Sequence, residues 1–167
     1  MPIKTTLWKV ATTPQMLSEA NLASEQQLEE MIVQEPRLLS DEWMLIGRQE
    51  HTSFGGIIDL LALAPDGSLV LIELKKGRTP REVVAQSLDY ASWVERLESN
   101  DLVNIYSRFA SGNNLSNAFL EKFGRELDED DLNLSHQIII VAAELDTSTE
   151  RIVKYLTKNL INFFFRR

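Results

Sequence analysis

Gly56-Ile57-Ile58-Asp59-Leu60-Leu61-Ala62-Leu63-Ala64-Pro65-Asp66-Gly67-Ser68-Leu69-Val70-Leu71-Ile72-Glu73-Leu74-Lys75 is the stretch that decides the fold. Its two runs are apolar at nearly every position, the pattern of strands covered on both faces. Only Asp59, Glu73 and Lys75 interrupt them. A charge inside a buried strand is costly to desolvate unless it is paired, so three together require a cause. A metal ion with an anionic substrate is one; a buried salt bridge at a strand end is the other.

The segment between the runs tests whether the charges can meet. Pro65-Asp66-Gly67 suits a three-residue loop, a type I turn with Gly67 left-handed, closed by Ala64 and Ser68. In that register Asp59 lies opposite Glu73, with side chains roughly 5 Å apart, and Lys75 shares their face. A two-residue loop would send Asp59 to the other face. Two carboxylates so close need a cation or a shared proton. Lys75 can neutralise one, and the remaining oxygens suit a hard divalent ion such as Mg²⁺.

Outward from this hairpin, Ser24-Glu25-Gln26-Gln27 has the form of a capping box and opens a helix over 25–34 that Pro36 ends. Trp43–Gln49 reads as a first strand before the two runs. Thr79 as N-cap, Pro80 at the first helical position and Glu82 start a long helix reaching about Glu98. Helices over Asp101–Ala110 and Leu115–Leu127, a strand Gln137–Ala143, a helix Thr149–Asn159 and a last strand Ile161–Phe165 follow. The expected fold is α/β, a central mixed sheet flanked by helices in αβββαβ order. One domain covers 1–167, with an extension at 1–23, a motif-bearing core at 24–98 and closing elements at 99–167. The end at Arg166-Arg167, directly after an aromatic strand, suggests a further C-terminal domain beyond this chain.

Composition narrows the chemistry. The 167 residues suffice for one full core, and the absence of cysteine excludes thiolate zinc sites, disulfides and cysteine nucleophiles. His51 and His136 are the only histidines, too few for a multi-histidine centre. No apolar run approaches the roughly 20 residues that span a bilayer, so a cytoplasmic protein without membrane contact is expected. The net charge of −8 argues against non-specific coating of nucleic acid, yet Lys75, Lys76, Arg78 and Arg81 form a local basic patch. Trp8, Trp43 and Trp93 sit in apolar segments and read as core. His51 reads as a surface or packing residue, and Asp101, Asp130 and Asp131 as solvated helix ends.

Asp59 followed across a hairpin by Glu73-Leu74-Lys75 resembles the PD-(D/E)xK nuclease superfamily, the restriction-endonuclease-like fold. Gln86-Ser87-Leu88-Asp89-Tyr90 resembles the Q-x-x-x-Y motif of its RecB-like members, on a stripe with Val83, Trp93 and Leu97 that Gln86 interrupts. More narrowly, Gly55–Leu61 and Val70–Lys76 are similar to the C-terminal nuclease domain of NucS-type endonucleases. The superfamily's proline is Ile58 here, and the separate N-terminal DNA-binding domain of NucS has no counterpart.

That resemblance implies a metal-dependent endonuclease acting on DNA. Asp59, Glu73 and the Leu74 carbonyl would hold Mg²⁺ or Mn²⁺, and Lys75 would assist the attacking water. Glu25 is the expected acidic contribution from the first helix, with Glu29 and Glu30 as competitors and Gln49 as a lesser polar contact. Gln86 belongs to the expected catalytic set, its amide meeting the carboxylate cluster or a substrate phosphate, and Lys76, Arg78, Arg81 and Tyr90 would contact the nucleic acid. Tyr90 also reads as a packing residue with its hydroxyl anchored, and the three basic residues as a solvated loop. Two-strand cleavage would need two sites, which a homodimer supplies. The alternative is an inactive nuclease fold kept for nucleic-acid or protein binding.

Overall fold

The computed structural model describes residues 8–10, 12–17, 21–159 and 163–166. Strands β4 (Ile57–Leu63) and β5 (Leu69–Thr79) pair antiparallel, with Leu60 opposite Ile72 and Leu63 opposite Leu69. The turn between them is the expected one. Gly67 sits at φ +84°, its N–H donates to the Ala64 carbonyl at 3.0 Å, and the Ala64 N–H donates to the Ser68 carbonyl at 2.9 Å. Asp66 stiffens the loop by accepting from the Ser68 hydroxyl at 2.6 Å.

Around this hairpin the sheet runs β3-β4-β5-β6-β7, with β3 (Met44–His51), β6 (His136–Leu145) and β7 (Phe163–Arg166). β3, β4 and β5 are antiparallel; β5, β6 and β7 are parallel. A mixed sheet of this kind needs long crossovers for its parallel half. Helices α2 (Glu82–Val94), α3 (Ser99–Phe109) and α4 (Leu115–Phe123) provide the first, and α5 (Thr147–Asn159) the second.

The sheet is covered on both faces. Helix α1 (Glu25–Gln34) brings Ile32 onto a layer containing Leu45, Leu60, Ala62, Val70, Ile72 and Leu74. Leu61, Leu63 and Leu71, on the opposite side, join Val83, Tyr90 and Val94 of α2, Leu102 and Ile105 of α3 and Phe119 of α4. Alternation between the two layers over Leu60–Leu63 and Leu69–Ile72 explains why β4 and β5 read as unbroken apolar runs.

The structure corrects several expected boundaries. β5 does not stop at Lys75, because Glu73–Thr79 continue as a parallel partner of β6, with a bulge between Lys75 and Arg78. Of the three basic residues read as a solvated loop, Lys76 and Arg78 are therefore in strand and Arg81 lies in the exposed turn after it. Thr79 belongs to the strand and is fully buried, so α2 begins at Glu82 instead. α2 ends at Val94, since Glu98 opens α3 by donating its N–H to the Asp101 carboxylate at 3.0 Å. Gly124, at φ +68°, ends α4 before Leu127 through a 2.8 Å bond to the Leu120 carbonyl. A two-stranded ribbon, β1 (Trp8–Lys9) with β2 (Gln15–Met16), was not foreseen in the N-terminal extension. The last strand begins at Phe163; residues 160–162, expected within or beside it, lie outside the described residues.

The helix over 25–34 stands as expected, with the Ser24 hydroxyl accepting from the Gln27 N–H at 3.0 Å. Gln27 reaches back to the N–H of Ala23 at 2.6 Å rather than to that of Ser24. Among the described residues no helix is long and apolar enough to cross a membrane.

Candidate active site

The ladder between β4 and β5 ends at Leu60 and Ile72, although β4 starts three residues earlier and β5 runs on to Thr79. Beyond that point β4 pairs with β3, and β5 with β6. The hairpin therefore opens into a fork, and Asp59 and Glu73 are its first residues.

Asp59 turns into the fork. Its Oδ2 accepts the Leu74 backbone N–H at 2.8 Å, taking the place of a strand carbonyl. The N–H and C=O of one strand residue point to the same edge, so the Leu74 carbonyl faces the fork as well. Oδ1 of Asp59 lies 3.4 Å from the Gln49 amide nitrogen.

Glu73 is only 1% exposed. Its Oε2 lies 3.7 Å from Lys75 Nζ, while Oε1, fully buried, has no hydrogen-bond partner. Burial first, and then the negative charge of Asp59, push its carboxyl up to about 8 from an ordinary 4.5; Lys75 and the Asp59 backbone N–H pull the other way. Burial likewise raises Asp59, against the Leu74 N–H and Lys75. Two neighbouring carboxyls, both reluctant to ionise, take up a proton or a cation near neutral pH.

Helix α1 delivers Glu25 to the same place. Its Oε2 is 4.0 Å from Lys75 Nζ, and its Oε1 accepts the Lys76 N–H at 3.1 Å. Of its competitors, Glu29 is buried, with its two oxygens taken by Arg48 Nε and the Gln49 amide. Glu30 accepts from Gln26 at 2.9 Å on the exposed surface. The structure thus gathers Asp59, Glu73, Lys75, Leu74 and Glu25, with Gln49 at their edge.

Other expected contacts are placed differently. The buried stripe of α2 runs through Val83, Ser87, Tyr90 and Val94, so Gln86 does not interrupt it. Gln86 is exposed and donates its amide to the Tyr90 hydroxyl at 2.7 Å, not to the carboxylates. Tyr90 is 5% exposed and its hydroxyl accepts the Ile57 N–H at 3.3 Å, which fits the packing residue with an anchored hydroxyl and not the nucleic-acid contact also expected of it. Its work is to anchor the start of β4. Lys76 spends its ammonium on the Ala23 carbonyl at 2.8 Å. Arg78 lies opposite Glu144 in the ladder, and Arg81 Nε is 3.5 Å from Glu82 Oε1 on the surface.

His51 ends β3 and is exposed. With Arg48, Gln49, Glu50, Arg108 and Phe109 it lines a hollow of about 570 Å³ that adjoins the cluster through Gln49 and does not contain Asp59 or Glu73. Among the described residues no three His, Cys, Asp or Glu side chains converge as a metal-binding group.

Three participants had not been singled out in the sequence. Arg48 holds Glu29, the Leu74 N–H holds Asp59, and Gly56 lets Tyr90 approach. A signal existed for Arg48, another charge in an apolar strand segment. None existed for the Leu74 N–H, because a backbone donor freed by a fork leaves no mark in a sequence.

Comparison with known proteins gives this arrangement a family. The model described as Endonuclease NucS C-terminal domain matches residues 24–118. Comparison with curated proteins gives no match. Among solved structures, a repair endonuclease from Pyrococcus abyssi superposes with a TM-score of 0.52 at 21% identity, covering 91% of this chain and 50% of that one. The EndoMS-dsDNA2 complex and EndoMS in apo form each give a TM-score of 0.51 at 17% identity, covering 98% of this chain and 64% of theirs. These likenesses establish the fold, and the chain spans half to two-thirds of the length of the proteins concerned. By the match over 24–118, which takes in α1, the forked hairpin and the helices α2 and α3, the chain belongs to the family of NucS endonuclease C-terminal domains.

Proposed function

We propose that this chain is a metal-dependent endonuclease module that hydrolyses phosphodiester bonds of DNA, at the fork between β4 and β5. The observation that carries the reading is the Glu73 carboxyl, buried with one oxygen unpartnered and faced by a second carboxyl. An unpartnered buried carboxylate oxygen calls for an explanation, and a bound cation is one.

The donor set suits Mg²⁺, or Mn²⁺ in its place. Mg²⁺ is commonly held by one or two carboxylates, with waters and substrate phosphate filling the other positions, so a third acidic side chain is not required. Asp59, Glu73 and the Leu74 carbonyl would hold it. When bound, such an ion polarises a phosphoryl oxygen and makes a bound water acidic. Lys75, shared between Glu73 and Glu25, would hold a proton-bearing ammonium beside the attacking water and the charge that develops on phosphorus. Glu25 would orient Lys75 and fix the turn of β5 at Lys76. Arg78, Arg81 and Gln86 are exposed and would meet the phosphate backbone; Lys76 and Tyr90 would support the frame.

DNA as the substrate is supported by the family and by the similar structures, a repair endonuclease and an EndoMS complex with double-stranded DNA. Cutting both strands would need a second copy of the fork, which a homodimer supplies.

Incubating plasmid, single-stranded and branched DNA with Mg²⁺ or Mn²⁺ tests the reading, alongside Asp59→Ala and Lys75→Ala. Cleavage by the parent that both substitutions abolish supports it. Equal background in all three proteins overturns it and leaves a nuclease fold used for binding.

A further inference from the structure

Strand β3 changes face in one step beside Asp59. Arg48 pairs with Leu60, which belongs to the α1 layer, and Arg48 itself reaches Glu29 on α1. Two residues later Glu50 pairs with Ile58, which belongs to the opposite layer, and Glu50 accepts from Arg108 on α3 at 2.7 Å. In a regular strand residues two apart share a face. Here they do not, and the residue between them is Gln49, at φ +51°.

A positive φ is uncommon for a side-chain-bearing residue and persists where the surroundings over-determine it. The surroundings of Gln49 are specific. It stands across the ladder from Asp59, between the pairs Arg48–Leu60 and Glu50–Ile58. Its amide donates to the buried Glu29, whose other oxygen is held by Arg48, and reaches Asp59 Oδ1 at 3.4 Å. On β4 the alternation breaks at the same level, since Ile58 shares a layer with Leu61. The overturn in β3 and the turn of Asp59 toward Leu74 therefore coincide.

We propose that Gln49 is a positioning residue: its left-handed backbone and its amide, anchored on Glu29 and Arg48, turn the Asp59 carboxylate into the fork. Leu74 fixes one oxygen of Asp59, and Gln49 fixes the other. This rests on the nuclease reading only for its consequence, that a metal ion binds more weakly when Gln49 lets go.

Two substitutions separate the amide from the backbone. Gln49→Gly accepts the positive φ freely and removes the amide; Gln49→Met keeps the length and removes the donor without adding a charge. In EDTA, three-bond couplings of the Asp59 side chain should report one rotamer in the parent and averaging in both variants. Calorimetry with Mn²⁺ should show about a tenfold loss of affinity in both, the scale seen when an outer hydrogen bond to a metal ligand is removed. A single Asp59 rotamer retained in either variant overturns the assignment, as does unchanged Mn²⁺ affinity. A parent that binds no Mn²⁺ sinks the metal reading instead, and the couplings alone then decide the role of Gln49.

Discussion

The Asp59 carboxylate accepts the Leu74 backbone N–H at 2.8 Å across the point where their two strands part. Side chain and backbone thus close the fork that strand pairing leaves open. Asp59 is itself pushed toward its neutral form by burial. Asp59→Asn removes that charge while keeping the shape, so the metal-free protein should melt at or slightly above the parent's midpoint. Stabilisation by millimolar Mg²⁺, expected in the parent, should vanish in the variant. Thermal melts with Mg²⁺ and with EDTA check both halves.

Glu73 sets a pH dependence of definite sign. With its carboxyl near 8 in the folded chain against 4.5 ordinarily, the native state holds the proton more tightly than the unfolded one. Its stabilising contribution is full below about pH 4.5 and is lost as pH rises toward 8; the raised Asp59 acts in the same sense. Metal-free melting temperature should therefore fall from pH 5 to 8, and Glu73→Gln should flatten that fall. A binding ion must displace the proton, so Mg²⁺ or Mn²⁺ affinity should rise over the same range. Proton release measured by calorimetry in two buffers at pH 7 gives the count.

Much of the site was legible because its logic is local. The turn Pro65-Asp66-Gly67 dictated the register, which sets Asp59 and Glu73 one step beyond its last pair, Leu60–Ile72, near enough for the charge of Asp59 to act on Glu73. What stayed hidden depended on separation rather than pairing. The sequence pattern treats Asp59, Glu73 and Lys75 as neighbours on one pleated face; the fork instead sends Asp59 to a backbone N–H. Likewise Lys76 and Arg78 looked like part of a solvated loop, and Thr79 like a helix cap, because their partner, β6, lies some sixty residues away. Gln86 was misplaced by helical spacing alone, where Ser87, whose hydroxyl is satisfied by the Val83 carbonyl at 2.8 Å, took the buried position.

Gly56 is required by contact rather than by conformation. A Cβ there would stand 2.1 Å from Tyr90 Cε1, in the ring that anchors β4. Gly56→Ala should cost about 1–3 kcal/mol through overpacking. For a chain of this size that is a fall of roughly 2–4 °C in melting temperature per kcal/mol. Adding Tyr90→Leu should recover part of the loss; no recovery in the double variant would place the strain elsewhere.

Glu29 is 5% exposed and is held by Arg48 and Gln49. Arg48→Met should leave that carboxylate without its counter-charge, at about 3 kcal/mol or less, since Arg48 is partly solvated. Pairing it with Glu29→Gln removes the stranded charge and should restore most of the stability. Denaturant midpoints of the two single variants and the double variant form the cycle that checks the coupling.

Lys75 and Lys76 are adjacent and alike in sequence, yet the fold gives their ammonium groups opposite tasks. Lys75 Nζ lies between Glu73 and Glu25 inside the cluster, whereas Lys76 Nζ is spent on the Ala23 carbonyl ahead of α1. Lys75→Ala should abolish cleavage with little loss of Mn²⁺ affinity, because an ammonium is no metal ligand and its removal takes away a positive neighbour. Lys76→Ala should keep cleavage within a few-fold of the parent, since Glu25 is held by the Lys76 backbone N–H, which survives the substitution. Parallel turnover and Mn²⁺ calorimetry on the two variants decide the matter. Equal loss of cleavage in both would mean that the basic segment works as one phosphate-binding patch, with no separate task for Lys75.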